Sequence, residues 1–139
     1  MIPENLRIII TDDDLDDQSL LTDALIVNGF NREMIFRLSD GEELSLVIHE
    51  HAKFPCIVFL DLNMPKKNGL KVLEEIKADP QLKHIPVLIF TTSTSPTDIS
   101  SCYSLGANTY FTKPFSYSEL ISLVEVIKVY WIDKGILRL

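Results

Sequence analysis

The sequence is poor in cysteine, in positive charge and in long apolar runs, and each shortage removes a class of protein. Cys56 and Cys102 are the two cysteines among 139 residues. They stand far apart in apolar stretches, with no CxxC pair or His/Cys cluster around them, so buried free thiols are expected, as suits a reducing cytoplasm. Lysine and arginine number 13 against 20 acidic residues, giving a net charge of −7 and a pI near 4.8. A nucleic-acid-binding surface normally carries a basic patch, and this balance argues against one. No apolar run approaches the roughly 18 residues of a membrane span. The opening MIPENLRIIITDDD turns acidic too soon for a signal peptide. Internal repeats and low-complexity linkers are missing as well. A cytoplasmic protein with neither membrane nor nucleic acid as partner is expected.

What is present is a 46% hydrophobic, 24% charged chain, the mix of one globular domain over residues 1–139. Short apolar runs alternate with longer amphipathic stretches. Residues 6–10, 34–38, 56–60 (CIVFL), 85–90 (IPVLIF) and 109–112 read as strands, and the unbroken third and fourth runs suit strands buried on both faces. Helical spacing over residues 15–28 is stopped by Asn28-Gly29, and Asp40-Gly41 opens a second helix through Leu44, Val47 and Ile48. A third helix runs through Leu70, Leu73 and Ile76 to Asp79-Pro80. Ser95-Pro96-Thr97-Asp98 supplies an N-cap, a first-turn proline and a first-turn acid, and Ser116 with Glu119 has the spacing of a capping box. Strands alternating with helices predict an α/β fold: a flavodoxin-like, doubly wound, five-stranded parallel sheet of order 2-1-3-4-5 with five helices. Ligands of such sheets bind beyond the carboxyl ends of the strands.

Those ends carry chemistry. The first strand runs into Thr11-Asp12-Asp13-Asp14, the third into Asp61, the fourth into Thr91-Thr92, and Lys113-Pro114 follows the fifth. Carboxylates crowded together raise one another's pKa unless a cation intervenes. Mg²⁺ takes hard oxygen ligands and often bridges carboxylate to phosphate. An ionised aspartate can attack phosphorus, while metal, lysine and a threonine hydroxyl answer the charge on the transferring group. Each piece alone has a plainer reading, as a solvated loop, a turn former or a locally satisfied hydroxyl. The four together, in this order, outweigh those readings.

The pattern resembles the receiver domain of two-component response regulators: the acidic pair, LDLNMPKKNGL, FTTS and YFTKPF, across residues 6 to about 129. The resemblance implies that Asp61 accepts a phosphoryl group from a sensor histidine kinase or phosphotransfer protein. Mg²⁺ would be held directly by Asp13, mainly through water by Asp12, and by Asp61 and the backbone carbonyl of Asn63. Thr91 would contact the phosphoryl group and Lys113 would pair with it, while Thr91 and Tyr110 would report the switch. Pro114 resembles the family's cis-proline, and Asn63 and Ser93 occupy positions that tune dephosphorylation. Such a chain is a phosphoacceptor rather than an enzyme acting on a separate substrate. Thr11 replaces the usual aliphatic residue before the acidic pair, and Asp14, Asp16 and Asp17 read as favourable charges in a helix's first turn.

Three other readings compete. A haloacid-dehalogenase-type phosphohydrolase also uses aspartate, threonine, lysine and Mg²⁺, but its nucleophile comes early with a second aspartate two residues on, where Asn63 stands here. An EF-hand on Asp12, Asp14, Asp16 and Asp23 lacks its glycine, replaced by Asp17. A receiver fold kept as a constitutive interaction module, never phosphorylated, is the third. With a receiver domain filling the chain, output is expected through a downstream protein target or by relay of phosphate. The final helix should bury Leu120, Val124, Ile127 and Trp131, yet Ile121, Val126, Val129 and Ile132 lie on its other faces. The extension at residues 130–139 resembles that of small regulators similar to those serving bacterial phytochromes. It either folds back or, with the last helix, forms a homodimer.

Overall fold

The computed structural model describes residues 2–138. Five strands, β1 (Arg7–Thr11), β2 (Ile35–Leu38), β3 (Cys56–Leu60), β4 (Val87–Thr91) and β5 (Thr109–Thr112), alternate with five helices. These are α1 (Leu15–Val27), α2 (Gly41–His51), α3 (Gly69–Ala78), α4 (Pro96–Ser104) and α5 (Tyr117–Lys128). The sheet has the expected order β2-β1-β3-β4-β5, with every pairing parallel. Thr11 stands opposite Leu60, Leu60 opposite Ile89, and Thr91 opposite Thr112. The residues just past β1, β3 and β5 therefore emerge along one edge.

Alternation along the buried strands builds two separate cores. Ile9, Val58, Leu60, Val87 and Ile89 face α2, α3 and α4. Ile8, Ile10, Ile57, Phe59, Leu88 and Phe90 face α1 and α5. Each helix starts at a side-chain cap: Asp14, Asp40, Asn68, Ser95 and Ser116 each accept a backbone N–H from the first turn, worth about 1 kcal/mol apiece. Second-strand pairing begins one residue later than the apolar run predicts, because Arg32–Met34 closes a 3₁₀ turn. Both cysteines are free and buried.

The C-terminal segment departs from the sequence reading in a definite way. Leu120, Val124 and Ile127 are buried as expected, but Trp131 is only half-buried and the next fully inward residue is Ile132. After α5 the chain widens into a π-helical turn, Val129–Lys134. In such a turn the backbone bonds span five residues rather than four, and Ile132, five residues after Ile127, joins it in the core. The tail also folds back: Leu137 and Trp131 rest against the α1/α5 core together with Ile2, while Ile136 is 98% exposed.

At the opposite end of the sheet from the acidic residues, the Arg7 guanidinium lies over two rings, 4.9 Å from the centroid of Phe36 and 4.1 Å from that of Phe54. Its Nη1 donates to His51 Nδ1 at 3.2 Å, and the imidazole packs 4.6 Å from Phe36. Burial, with the neighbouring Arg7 cation, holds the His51 pKa below its ordinary 6.5. The unfolded chain then binds a proton that the folded one refuses. The stability this site contributes is complete above that value and is lost as pH falls below it. The stability advantage of wild type over His51→Gln should shrink between about pH 7.5 and about pH 5.5. Urea unfolding at each pH checks it, and a constant difference contradicts it.

Candidate functional site

Three of the sequence-selected residues share one local device. Asp12, Asp61 and Lys113 are each the first residue past a strand, and each backbone N–H still pairs with a neighbouring strand. Asp12 donates to Leu38 O at 3.0 Å, Asp61 to Thr11 O at 3.0 Å and Lys113 to Thr91 O at 2.7 Å. The ladder thus fixes the main chain of all three. Gln18, buried on α1, adds a clasp: its Nε2 donates to Asp12 O at 2.6 Å and to Leu38 O at 3.1 Å. Asp61 Oδ1 accepts the Leu62 N–H at 2.7 Å, and Asp12 Oδ1 accepts that of Asp14 at 2.9 Å.

Side chains converge above this frame. Asp12, Asp13 and Asp61 offer carboxylate oxygens within 4.8 Å of one another. Lys113 Nζ lies 2.7 Å from Asp12 Oδ2, 2.7 Å from Asp17 Oδ2 and 3.2 Å from Asp61 Oδ2. Burial pushes the Asp12 carboxyl up, to about 6, against the opposing pull of Lys113 and the Asp14 amide. Burial would lower the Lys113 pKa, but its aspartate partners outweigh that and raise it, so the ammonium stays charged. The donor set is hard oxygen throughout, and the cluster carries more negative charge than one lysine neutralises. It fits a divalent cation that prefers oxygen ligands. Asn63 sits exposed two residues past Asp61, with Leu62 and Met64 buried on either side.

The sequence pattern of the response regulator receiver domain matches residues 8–125. The chain belongs to that family.

This receiver domain is 34% identical over 131 residues to the response regulator Rcp1 of Synechocystis sp., covering 91% of this chain and 88% of Rcp1. Its backbone superposes on the phosphorylated cyanobacterial phytochrome response regulator RcpA with a TM-score of 0.85, at 34% identity, over 96% of this chain and 98% of RcpA. The Mn²⁺-bound form of Rcp1 gives a TM-score of 0.80 at 32% identity, over 96% of this chain and 99% of that one. The acidic cluster and the metal-bound relative together point to a divalent metal site in this domain.

In the receiver domain the two residues singled out for switching meet at Ser93. Thr91 is fully buried and its Oγ1 accepts the Ser93 N–H at 3.4 Å. Tyr110, half-buried against the α2–α4 core, donates its hydroxyl to Ser93 O at 2.8 Å. Ser93 Oγ in turn donates to Asp98 Oδ2 at 2.6 Å.

Two expectations need correction. No peptide bond among the described residues is cis, so Lys113–Pro114 is trans, the isomer X–Pro bonds favour by about 0.5–1 kcal/mol. Asp17 is more than a first-turn charge, because its carboxylate reaches Lys113 across 96 residues of sequence. Asp14 stands one residue before that first turn, as the N-cap of α1, where its side chain accepts the Asp16 and Asp17 N–H groups. The Thr11 hydroxyl is buried without a hydrogen-bond partner among the described residues.

Gly69 opens α3 directly against the phosphoacceptor candidate. A Cβ there would stand 2.2 Å from Asp61 O and 2.8 Å from Leu62 Cα, both backbone atoms. Gly69→Ala must therefore displace the Asp61 main chain, and we expect it to cost about 2 kcal/mol of stability. Denaturant unfolding reads the loss, and unchanged stability would mean that α3 shifts freely.

Proposed function

We propose that this receiver domain accepts a phosphoryl group on Asp61, from a sensor histidine kinase or phosphotransfer protein, with Mg²⁺ as its metal. The observation that carries the reading is the Lys113 ammonium between the Asp12 and Asp61 carboxylates at the carboxyl edge of the sheet. An Asp61 carboxylate oxygen forms a bond to phosphorus as the donor's bond to phosphorus breaks. Lys113 pairs with the transferred group, and the buried Thr91 hydroxyl donates to it. Asp12, Asp13, Asp61 and the Asn63 carbonyl would hold Mg²⁺, which when bound supplies positive charge against the transferring phosphoryl oxygens. When Thr91 turns toward the phosphoryl group it leaves the Ser93 N–H, and the Tyr110 hydroxyl shares that residue, so the switch would pass through Ser93. The domain acts as a phosphoacceptor that assists its own phosphorylation, in the cytoplasm, and passes the signal to a protein target.

Intact-protein mass spectrometry after incubation with acetyl phosphate tests this. A gain of one phosphoryl group that requires Mg²⁺ and is prevented by chelation is the expected result. No gain, together with no binding of beryllofluoride, would leave the constitutive interaction module as the better reading.

A second copy of the chain is the partner that the last helix favours. Val126, Val129 and Tyr130 are exposed along its outer side, between Glu125 and Lys134. Light scattering across micromolar concentrations, with and without beryllofluoride, should give a dimer that Tyr130→Glu dissociates. A monomer throughout would remove the homodimer from the reading.

A further inference from the structure

We propose that Asp17 is a positioning residue for Lys113, giving its ammonium a partner outside the Asp12–Asp61 pair so that a cation can take up the oxygens of those two. The inference rests on the phosphoacceptor reading and concerns a residue which that reading leaves idle. A lysine ammonium has three N–H donors and no acceptor, and here it has three carboxylate partners: Asp12 and Asp17 at 2.7 Å and Asp61 at 3.2 Å. Two of the three belong to the cluster that could hold a metal; Asp17 does not. A cation between Asp12 and Asp61, and then a phosphoryl group on Asp61, would draw on the oxygens of both. Among the described residues the Asp17 carboxylate bonds to Lys113 alone, so that bond can persist through the cycle.

Asp17 is itself well placed to serve as a fixed post. Its N–H is bonded to the Asp14 cap at 3.1 Å, and the next residue, Gln18, clasps the ends of β1 and β2. Lys113, by comparison, carries its charge on a flexible four-carbon stem. The lysine side chain is 11% exposed and that of Asp17 32%, so the pair is partly shielded from solvent. It is therefore weakened less by water and salt than a surface ion pair. Without Asp17 the ammonium has two partners left, both among the candidate metal ligands, and it is tied to them alone as a competitor for the cation.

A direct effect of the Asp17 charge on the metal would also weaken binding, so the test must separate the two routes. A double-mutant cycle does so, with Asp17→Asn and Lys113→Met made singly and together and Mg²⁺ affinity measured by calorimetry. Lys113→Met keeps the length of the stem while removing the ammonium. If Asp17 acts through Lys113, Asp17→Asn weakens Mg²⁺ binding about fivefold when the lysine is present and by less than about twofold when it is not. Asp17→Glu should recover most of the loss, and thermal unfolding should confirm that every variant is folded. An equal loss in both backgrounds, or no loss in either, overturns the proposal. Mg²⁺-dependent phosphoryl uptake by the wild type, measured alongside, reports on the Asp61 reading separately. The positioning role can thus fail while that reading stands.

Discussion

Asp61→Asn takes up no phosphoryl group from acetyl phosphate at any Mg²⁺ concentration, and it folds as the wild type does. The first half follows from chemistry: a carboxylate attacks phosphorus and a neutral amide does not. The second half follows from the site. Asparagine matches aspartate in volume, and its side-chain oxygen can still accept the Leu62 N–H that Asp61 Oδ1 accepts at 2.7 Å. The backbone bond to Thr11 O is untouched by the change. What is lost is a contact to Lys113 at 3.2 Å, the longest of that lysine's three, and with it goes one negative charge from a crowded cluster. Intact mass measures the uptake and circular dichroism the fold. A phosphoryl gain on the folded variant would move the acceptor to another residue.

Lys113→Ala should slow phosphoryl uptake on the order of 100-fold, the scale of losing one preorganised donor to the transition state. The same change leaves Asp12, Asp17 and Asp61 facing one another without the ammonium that now touches all three. Repulsion among them lowers the stability of the metal-free protein, and a bound cation relieves it. The variant should therefore gain more in melting temperature from added Mg²⁺ than the wild type gains. A time course of intact mass reads the rate, and calorimetric melting with and without metal reads the compensation. A wild-type rate would show that lysine pairing is dispensable. Equal metal-induced shifts would show that the ammonium does not stand in for the cation.

Much of this architecture could be read from the chain, because the features that reveal it are local. CIVFL and IPVLIF announce buried strands by having no polar alternation, and Asp40, Ser95 and Ser116 mark helix starts within a four-residue window. Asp12, Asp61 and Lys113 were legible as neighbours once the strands were placed, since a parallel sheet collects its carboxyl ends on one edge. What stayed hidden depends on distance or on phase. The bond from Asp17 to Lys113 depends on the turn by which α1 leaves the sheet, which composition does not encode. The exchange of Trp131 for Ile132 in the core depends on a single π-helical turn, and a helical wheel assumes that turn is absent. The trans bond before Pro114 and the meeting of Thr91 and Tyr110 at Ser93 are likewise matters of geometry rather than of residue type.

The division of the interior into two cores bears on how such a domain could speak to more than one protein. Tyr110 packs on the side that holds Cys102 of α4, whereas α1 and α5 are rooted on the far side of the strands. The sheet therefore works as an insulating wall. A rearrangement that starts at Ser93 would disturb the storey occupied by α4 without requiring α1 or α5 to be rebuilt. If the proposed switch starts at Ser93, whose Oγ bonds Asp98 of α4, a protein gripping α4 stands nearer to it than one gripping α5.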